Sequence, residues 1–271
     1  MRERSMLNNR RISLASGVLP EFSPLVVAQS AVDAGYSDAG LMVRPEVWDL
    51  AWESELLDIK AQHGLGFLDV EVLWIPKGGV LGSAHQFLVD VGGRLGAEHI
   101  LVVSDECDPD LLAPALDNIS QWCAGYSMRP MLEFLRITAV TSLRQTKELL
   151  AASQAHNFGI LLDSLHLMRS SELDELPVLD AEMHPYIQLC DGVRTTSQTA
   201  KALLSDAVDG RSAPGEGELP LEHLLRALPK ATPLSLEVRS KRYREQYIEP
   251  LARAKAVLEQ TQIYLRKQLN E

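Results

Sequence analysis

The sequence predicts a single closed (β/α)8 barrel. Three observations carry the expectation: eight short, near-continuously apolar runs, longer amphipathic stretches between them, and about 34 residues per unit over 271 residues. No Pro- or Ser-rich linker divides the chain, so residues 1–271 read as one domain. A doubly wound open sheet is the alternative built from the same alternation.

Each unit has its own reasons. The first run, Ile12 to Ala15, precedes a helix expected over Pro24 to Ala34 that stops at Gly35. Ala39 to Val43 leads to a helix over Trp48 to Gln62, ending at Gly64, and Leu68 to Ile75 to one over Ala84 to Leu95, ending at Gly96. Ile100 to Ser104 is followed by Asp108 and Pro109, a cap and a first-turn proline, then a helix over Asp110 to Ala124 ending at Gly125. These four glycines stand where a left-handed residue ends a helix. Pro130 to Leu135 pairs with a helix over Ser142 to Ala155, and Gly159 to Asp163 with one over Ser171 to Leu176. Tyr186 to Cys190 opens onto a long irregular piece, Asp191 to Pro220, read as part of an active-site rim, before a helix over Pro220 to Ala227. Leu234 to Val238 and a helix over Ile248 to Gln268 complete the series. Strands this short and this apolar are buried on both faces.

Composition narrows the function classes. With 46% hydrophobic and 23% charged residues, the chain has material for a large core and too little charge for disorder. Its formal charge of -11 repels a phosphate backbone, so nucleic acid is not expected as a partner. Cys107, Cys123 and Cys190 are odd in number and form no CxxC pair, as reduced thiols do. The basic start, MRERSMLNNRR, lacks a following apolar stretch of signal-peptide length, and no run approaches the apolar length of a membrane span. A cytoplasmic protein without a membrane partner is the expectation, and a homo-oligomer is compatible with it.

Parallel barrels carry their reactive groups at the carboxyl ends of the strands. Four late runs place a polar residue there: Glu133 in MLEF, Asp163 in ILLD, Gln188 in YIQL and Glu237 in LSLE. An unpaired carboxylate inside an apolar strand costs several kcal/mol, and a shared cation is the simplest common remedy. A strand-end acid can also be held by a loop Arg or a backbone amide. Four oxygen donors with no Cys suit a hard octahedral ion, Mn²⁺ or Mg²⁺, with Co²⁺ acceptable, better than tetrahedral Zn²⁺.

These strand ends resemble the metal site of the xylose-isomerase-like TIM barrels, the sugar phosphate isomerase and epimerase superfamily. Further motifs keep the same order: DSLH, giving Asp163 and His166; QLCDGVR, giving Gln188, Asp191 and Arg194; and PGEGE from Pro214 to Glu218. The resemblance covers nearly the whole chain, and Gln in the third ligand position is similar to the hydroxypyruvate isomerase branch. It implies one divalent ion on Glu133, Asp163, Gln188 and Glu237. The stretch between Arg194 and Pro214 is longer than in a hydroxypyruvate isomerase and contains Arg211, which points to a different substrate pocket.

Glu133 and Glu237 are then the candidate catalytic acid and base, acting α to a carbonyl on either side of an enediolate. His166, Arg194, Arg211 and Trp74 are the candidate substrate-binding residues, the cations for a hydroxyl, carboxylate or enediolate oxygen and Trp74 as a pocket wall. Alternation along DVEVLWI puts Val70, Val72 and Trp74 on one face and Glu71 with Leu73 on the other, with Glu71 read as half of an interior ion pair. The expected function is isomerisation or epimerisation of a small keto or hydroxy sugar. Expulsion of a β-hydroxyl would make the same site a dehydratase of the inosose or dehydroshikimate type. A non-catalytic sugar-binding or partner subunit is the third reading, and the intact ligand set speaks against it.

Overall fold

Eight parallel strands close into one barrel in sequence order, with β1 hydrogen-bonded to β8, in a computed structural model that describes residues 10–172, 176 and 179–269. The strands are β1 (Ile12–Leu14), β2 (Asp38–Met42), β3 (Gly66–Ile75), β4 (His99–Ser104), β5 (Arg129–Glu133), β6 (Gly159–Asp163), β7 (Ile187–Leu189) and β8 (Leu234–Leu236). All eight expected runs are strands, and the open-sheet alternative is excluded by closure. No helix among the described residues is long and apolar enough to cross a membrane.

Side chains alternate across the strands. Leu14, Leu41, Ile100, Leu132, Leu162 and Leu236 face outward into the main core against the helices. Leu68, Leu101, Val103, Met131, Leu161 and Tyr186 fill the barrel interior. Burial of both sets fixes each strand's register, because a one-residue slip would exchange the faces. That register delivers the last inward residues of β5 and β6, Glu133 and Asp163, to the carboxyl end of the barrel, beside Gln188 of β7.

The helices are α1 (Pro24–Ala34), α2 (Ala51–His63), α3 (Ser83–Leu95), α4 (Pro109–Ala124), α5 (Leu143–Ala151), α6 (Ser164–Arg169), α7 (Ala200–Asp209), α8 (Leu221–Ala227), α9 (Lys241–Gln246) and α10 (Pro250–Leu269). The caps act locally: Ser23, Asp108 and Ser142 accept backbone N–H bonds at the starts of α1, α4 and α5. Gly35, Gly64 and Gly96 end their helices at positive φ as expected. Gly125 does not: its φ is -62°, and Ser127 two residues later takes the left-handed conformation at φ 56°.

One expectation needs correction and two helices need completing. Half of the helix expected over Ser171 to Leu176, residues 173–175, lies outside the described residues, and the described helix of that unit is α6, which follows β6 directly. Asp163 makes this abrupt turn, accepting from the N–H groups of Leu165 and His166. The stretch read as irregular from Asp191 to Pro220 contains α7, started by the Thr199 hydroxyl on the Ala202 N–H. The last expected helix, over Ile248 to Gln268, is α10, opened by Pro250, and a short helix that was not expected, α9, precedes it.

α10 also helps to shape the site. Arg253, 1% exposed, donates to the Val18 and Tyr247 carbonyls and pairs with Glu21 at 2.6 Å, which ties α10 to the 3-10 turn Ser16–Val18 after β1.

Candidate active site

A cavity of about 390 Å³ opens at the carboxyl end of the barrel. Glu71, Glu133, Gln188 and Glu237 are buried in it at 2% to 5% exposure and form its floor, with His166 and Arg211 beside them. Of the four expected ligands, Glu133, Gln188 and Glu237 line the cavity. Asp163 is fully buried behind them.

Arg211 separates Asp163 from the open space. Its Nη1 lies 2.5 Å from Asp163 Oδ2, its Nε donates to the Ala207 carbonyl at 2.8 Å, and its Nη2 stands 3.3 Å from His166 Nε2. Two antiparallel bridges hold it there, Asp191 with Ser212 and Gly210 with Ser240, so the chain on either side of Arg211 is stitched to the ends of β7 and β8. Asp191 receives N–H bonds from Gly192 and Leu219 on Oδ1 and from Gly215 on Oδ2, which folds the PGEGE segment around one carboxylate. A Cβ on Gly217 would run into that same Oδ1. The motif is therefore a backbone cradle for Asp191.

The other expected residues are divided. His166 and Trp74 line the cavity, His166 buried and Trp74 42% exposed, with the indole N–H of Trp74 donating to Asp105 Oδ2 at 2.7 Å. Arg194 is exposed and lies outside the cavity lining. Among the described residues Glu71 makes no salt bridge of the kind expected, and Arg239 and Arg211 act on it only through their charge. The ladder between β3 and β4 shifts register between Val70 and Leu73, which breaks strict alternation and lets both Glu71 and Trp74 reach the cavity. Ser16 donates its hydroxyl to Glu71 Oε1. The sequence reading missed Gly17 at the floor and Arg239 at the wall; Arg239 lies two residues beyond Glu237 on the same strand end, so the strand-end pattern that marks Glu237 also reaches it.

The electrostatics follow from burial. Burial, then the charge of Glu71, pushes the Glu237 carboxyl up to about 8. Burial, then the charge of Asp69, pushes Glu71 up to about 7. Glu133 rises well above its ordinary value through burial and the neighbouring Asp163. Asp163 alone among these acids falls: burial works against it, but the Arg211 guanidinium and hydrogen bonds to the anion hold it below the usual carboxylate range. Burial depresses His166 to about 4, so its imidazole is neutral near pH 7 and accepts from Arg211 through Nε2, leaving its proton on Nδ1.

Among the described residues no three His, Cys, Asp or Glu side chains are drawn together around one point. The donor chemistry nevertheless fits a hard divalent cation. Glu237 Oε2 is buried without a hydrogen-bond partner, and the cavity carboxyls Glu71, Glu133 and Glu237 have raised pKa values in spite of the nearby Arg211 and Arg239 guanidiniums. Asp163 joins the other donors only if its Oδ2 gives up Arg211.

Two measurements test this arrangement. A Cβ at Gly17 would collide with Glu237 Oε1. Gly17→Ala should therefore cost about 1–3 kcal/mol in denaturant unfolding, and a cost near zero would show that the floor is looser than described. The second is stability against pH. A glutamate whose folded pKa lies above its unfolded value of about 4.3 favours the native state at low pH and loses that contribution as pH rises through the folded value. Glu71 and Glu237 should therefore destabilise the fold as pH climbs towards about 8. The neutral buried His99 and His166, both near 4, act in the opposite sense, but only from about 4 to 6.5. Above about pH 6.5 the carboxyls alone remain, and the melting temperature of metal-free protein should fall by roughly 3 °C or more up to pH ~8.5. A flat calorimetric profile over that range would contradict the shifted carboxyls.

Comparison with known proteins agrees with the geometry. The family model for the xylose isomerase-like TIM barrel matches residues 81–267, more than half of the chain. The chain belongs to the xylose isomerase-like TIM barrel family. Among solved structures it resembles a xylose isomerase-like TIM barrel/4-hydroxyphenylpyruvate dioxygenase fusion protein, at 19% identity and a TM-score of 0.73, over 96% of this chain and 45% of that one. It therefore spans under half of the fusion protein. IolI, solved with a bound zinc atom, matches at 16% identity and a TM-score of 0.72 over 94% of this chain and 99% of that one. A D-tagatose 3-epimerase-like protein matches at 12% identity and 0.66 over 95% and 99%. At these identities the likeness is one of fold. A search of curated proteins gave no match. The xylose isomerase-like superfamily is one of enzymes that includes sugar isomerases and epimerases.

Proposed function

We propose that the protein is a divalent-metal-dependent isomerase or epimerase that removes the proton α to the carbonyl of a small keto or hydroxy sugar. Glu133, Asp163, Gln188 and Glu237 are the proposed ligand set for one Mn²⁺ or Mg²⁺ ion. The reading rests on one observation above the others: Glu133, the last residue of β5, and Glu237, the residue after β8, lie on the floor of one cavity, both buried and both with raised carboxyl pKa values. Two such groups can take and return a proton near neutral pH. The bound zinc of IolI gives a precedent for a metal in this fold.

A bound divalent ion would polarise the carbonyl and stabilise negative charge on its oxygen. Glu237, poised near pH 8, exchanges a proton with the α carbon as base or acid. Glu133, whose carboxyl burial and the neighbouring Asp163 push well above its ordinary value, is the complementary proton-exchanging group. Arg211, which pairs with Asp163 in the metal-free chain and would release its Oδ2 to an ion, contributes a fixed positive charge beside the developing oxyanion. The Gln188 amide N–H orients a substrate hydroxyl, and the neutral His166 keeps Arg211 in place through Nε2.

The test is exchange of α hydrogen with deuterated solvent, followed by NMR over a panel of keto sugars, inososes and dehydroshikimate with added Mn²⁺. Exchange that disappears in Glu133→Gln supports the reading, and an enone absorbance would instead mark the dehydratase. No exchange on any member would count against α-proton chemistry. Mn²⁺ in ~100-fold excess over its dissociation constant should stabilise the fold by about 2.7 kcal/mol, raising the melting temperature by roughly 5 to 10 °C, with chelator reversing the change. A melting curve indifferent to metal would remove the ion from the proposal.

A further inference from the structure

The guanidinium of Arg211 touches more than Asp163. Its Nη1 also donates to Cys190 Sγ at 3.3 Å, and its Nη2 donates to His166 Nε2 at 3.3 Å, so one planar fork covers a carboxylate, a thiol and an imidazole together. The Nε is committed to the Ala207 carbonyl at 2.8 Å, which fixes the plane of the fork. All four side chains are buried, Asp163 and Cys190 completely.

The chain places these groups by local means. Cys190 stands two residues beyond Gln188, and Ser164, next to Asp163, pins it: the Ser164 hydroxyl donates to the Cys190 carbonyl at 2.7 Å and accepts from the Cys190 N–H at 2.9 Å. His166 lies in the first turn of α6, which Asp163 caps. A carboxylate, an imidazole and a thiol are the donors of tetrahedral zinc sites, whereas oxygen donors suit Mg²⁺ and Mn²⁺. The polar strand ends offer oxygen donors only, but folding brings a sulfur and a nitrogen up against the same arginine as Asp163. Zinc binds more tightly than Mn²⁺ wherever nitrogen and sulfur donors are open to it. An arginine keeps its proton and has no acceptor atom, so the lone pairs it occupies are closed to a cation.

We propose that Arg211 sets the metal preference of the site: its fork covers the Cys190 sulfur and the His166 nitrogen, so that an entering ion meets oxygen donors alone and zinc loses much of its advantage. The inference rests on the proposed ligand set, in which Asp163 Oδ2 leaves Nη1 for the ion while the fork keeps Cys190 and His166. Glu71, Glu133 and Glu237 supply the negative charge that lets a guanidinium and a divalent ion share one floor.

Binding of Mn²⁺, Zn²⁺ and Co²⁺ to the full chain tests this without reference to turnover. Calorimetry gives the ratio of Zn²⁺ to Mn²⁺ affinity, and bound Co²⁺ reports sulfur directly through a sulfur-to-metal charge-transfer band. The parent chain should show the weak visible bands of oxygen-bound Co²⁺ and no charge-transfer band. Arg211→Ala should raise the Zn²⁺ to Mn²⁺ ratio at least about tenfold and switch the band on, the thiol proton passing to solvent as the metal–sulfur bond forms. Adding Cys190→Ser should abolish the band, and adding either Cys190→Ser or His166→Gln should shrink the gain. In the parent the same two changes should leave the ratio where it is, because both donors are already covered. Arg211→Lys, whose single ammonium cannot hold both donors in a fork, should fall between the parent and Arg211→Ala, and it carries the test if Arg211→Ala does not fold. A charge-transfer band in the parent, a parent ratio that moves with Cys190→Ser or His166→Gln, or the parent's ratio in every folded Arg211 variant would overturn the proposal. If the parent binds no ion while an Arg211 variant gains zinc and the band, Arg211 covers the soft donors as inferred and the four-residue ligand set falls. Parent binding with an unchanged ratio in the Arg211 variants leaves the ligand set and removes this role of Arg211, and no binding in any variant removes both.

Discussion

Arg211→Met should lower the melting temperature of the metal-free protein by on the order of 10 °C, corresponding to about 3–5 kcal/mol at 2–4 °C per kcal/mol. The size follows from what the guanidinium touches. It is 5% exposed and neutralises an Asp163 that has no access to solvent, in a floor that also contains Glu71, Glu133 and Glu237. Methionine fills similar space but leaves Asp163 with only its two backbone N–H bonds and an uncompensated charge. Asp163 should respond by losing its depressed pKa, so the deficit should shrink at acidic pH. Adding Asp163→Asn to the variant removes the stranded charge and should recover a substantial part of the loss, a coupling that a double-mutant cycle measures directly. If the two changes simply added, the pair would not be the organising contact of the floor.

Glu237→Gln should separate stability from chemistry. The substitution keeps an oxygen donor of the same size and removes a carboxyl that is costly to ionise in place, so the folded chain near pH 8 should be unchanged or more stable. Exchange of the substrate's α hydrogen should fall by about 10²-fold or more, the usual contribution of a positioned acid or base. Metal-dependent stabilisation should weaken without vanishing, because Glu133 and Gln188 still line the cavity. Near-normal exchange in this variant, with metal stabilisation intact, would make Glu237 a bystander and move the base elsewhere on the floor, with Glu71 the nearest group of suitable pKa.

The contrast between Asp163 and Arg211 shows how much of such a site can be read in advance. Asp163 was legible because everything that fixes it is local: it ends an apolar run and caps the helix that begins at the next residue. Glu133, Gln188 and Glu237 were legible for a related reason, since a polar residue inside a buried strand needs an explanation and parallel barrels put such residues at one end. His166 was marked by the family resemblance, through its place in DSLH three residues after Asp163. The seven-residue motif that begins at Gln188 named Asp191 but not its use, which the N–H bonds from Gly192, Gly215 and Leu219 to one carboxylate make plain.

The sequence by itself determined the eight-unit barrel, the strand identities, three of the four glycine caps and the row of polar strand ends, because apolar periodicity and helix capping act over a few residues. Only the tertiary structure decided that Arg211 points into the barrel while Arg194 stays outside it, and that Glu71 faces the cavity. Each of those outcomes depends on pairing between segments far apart in the chain: the bridges Asp191 to Ser212 and Gly210 to Ser240, and the register shift between β3 and β4. Long-range pairings of this kind leave no periodic trace. An arginine on a loop reads the same whether that loop is stitched to the barrel or lies in water.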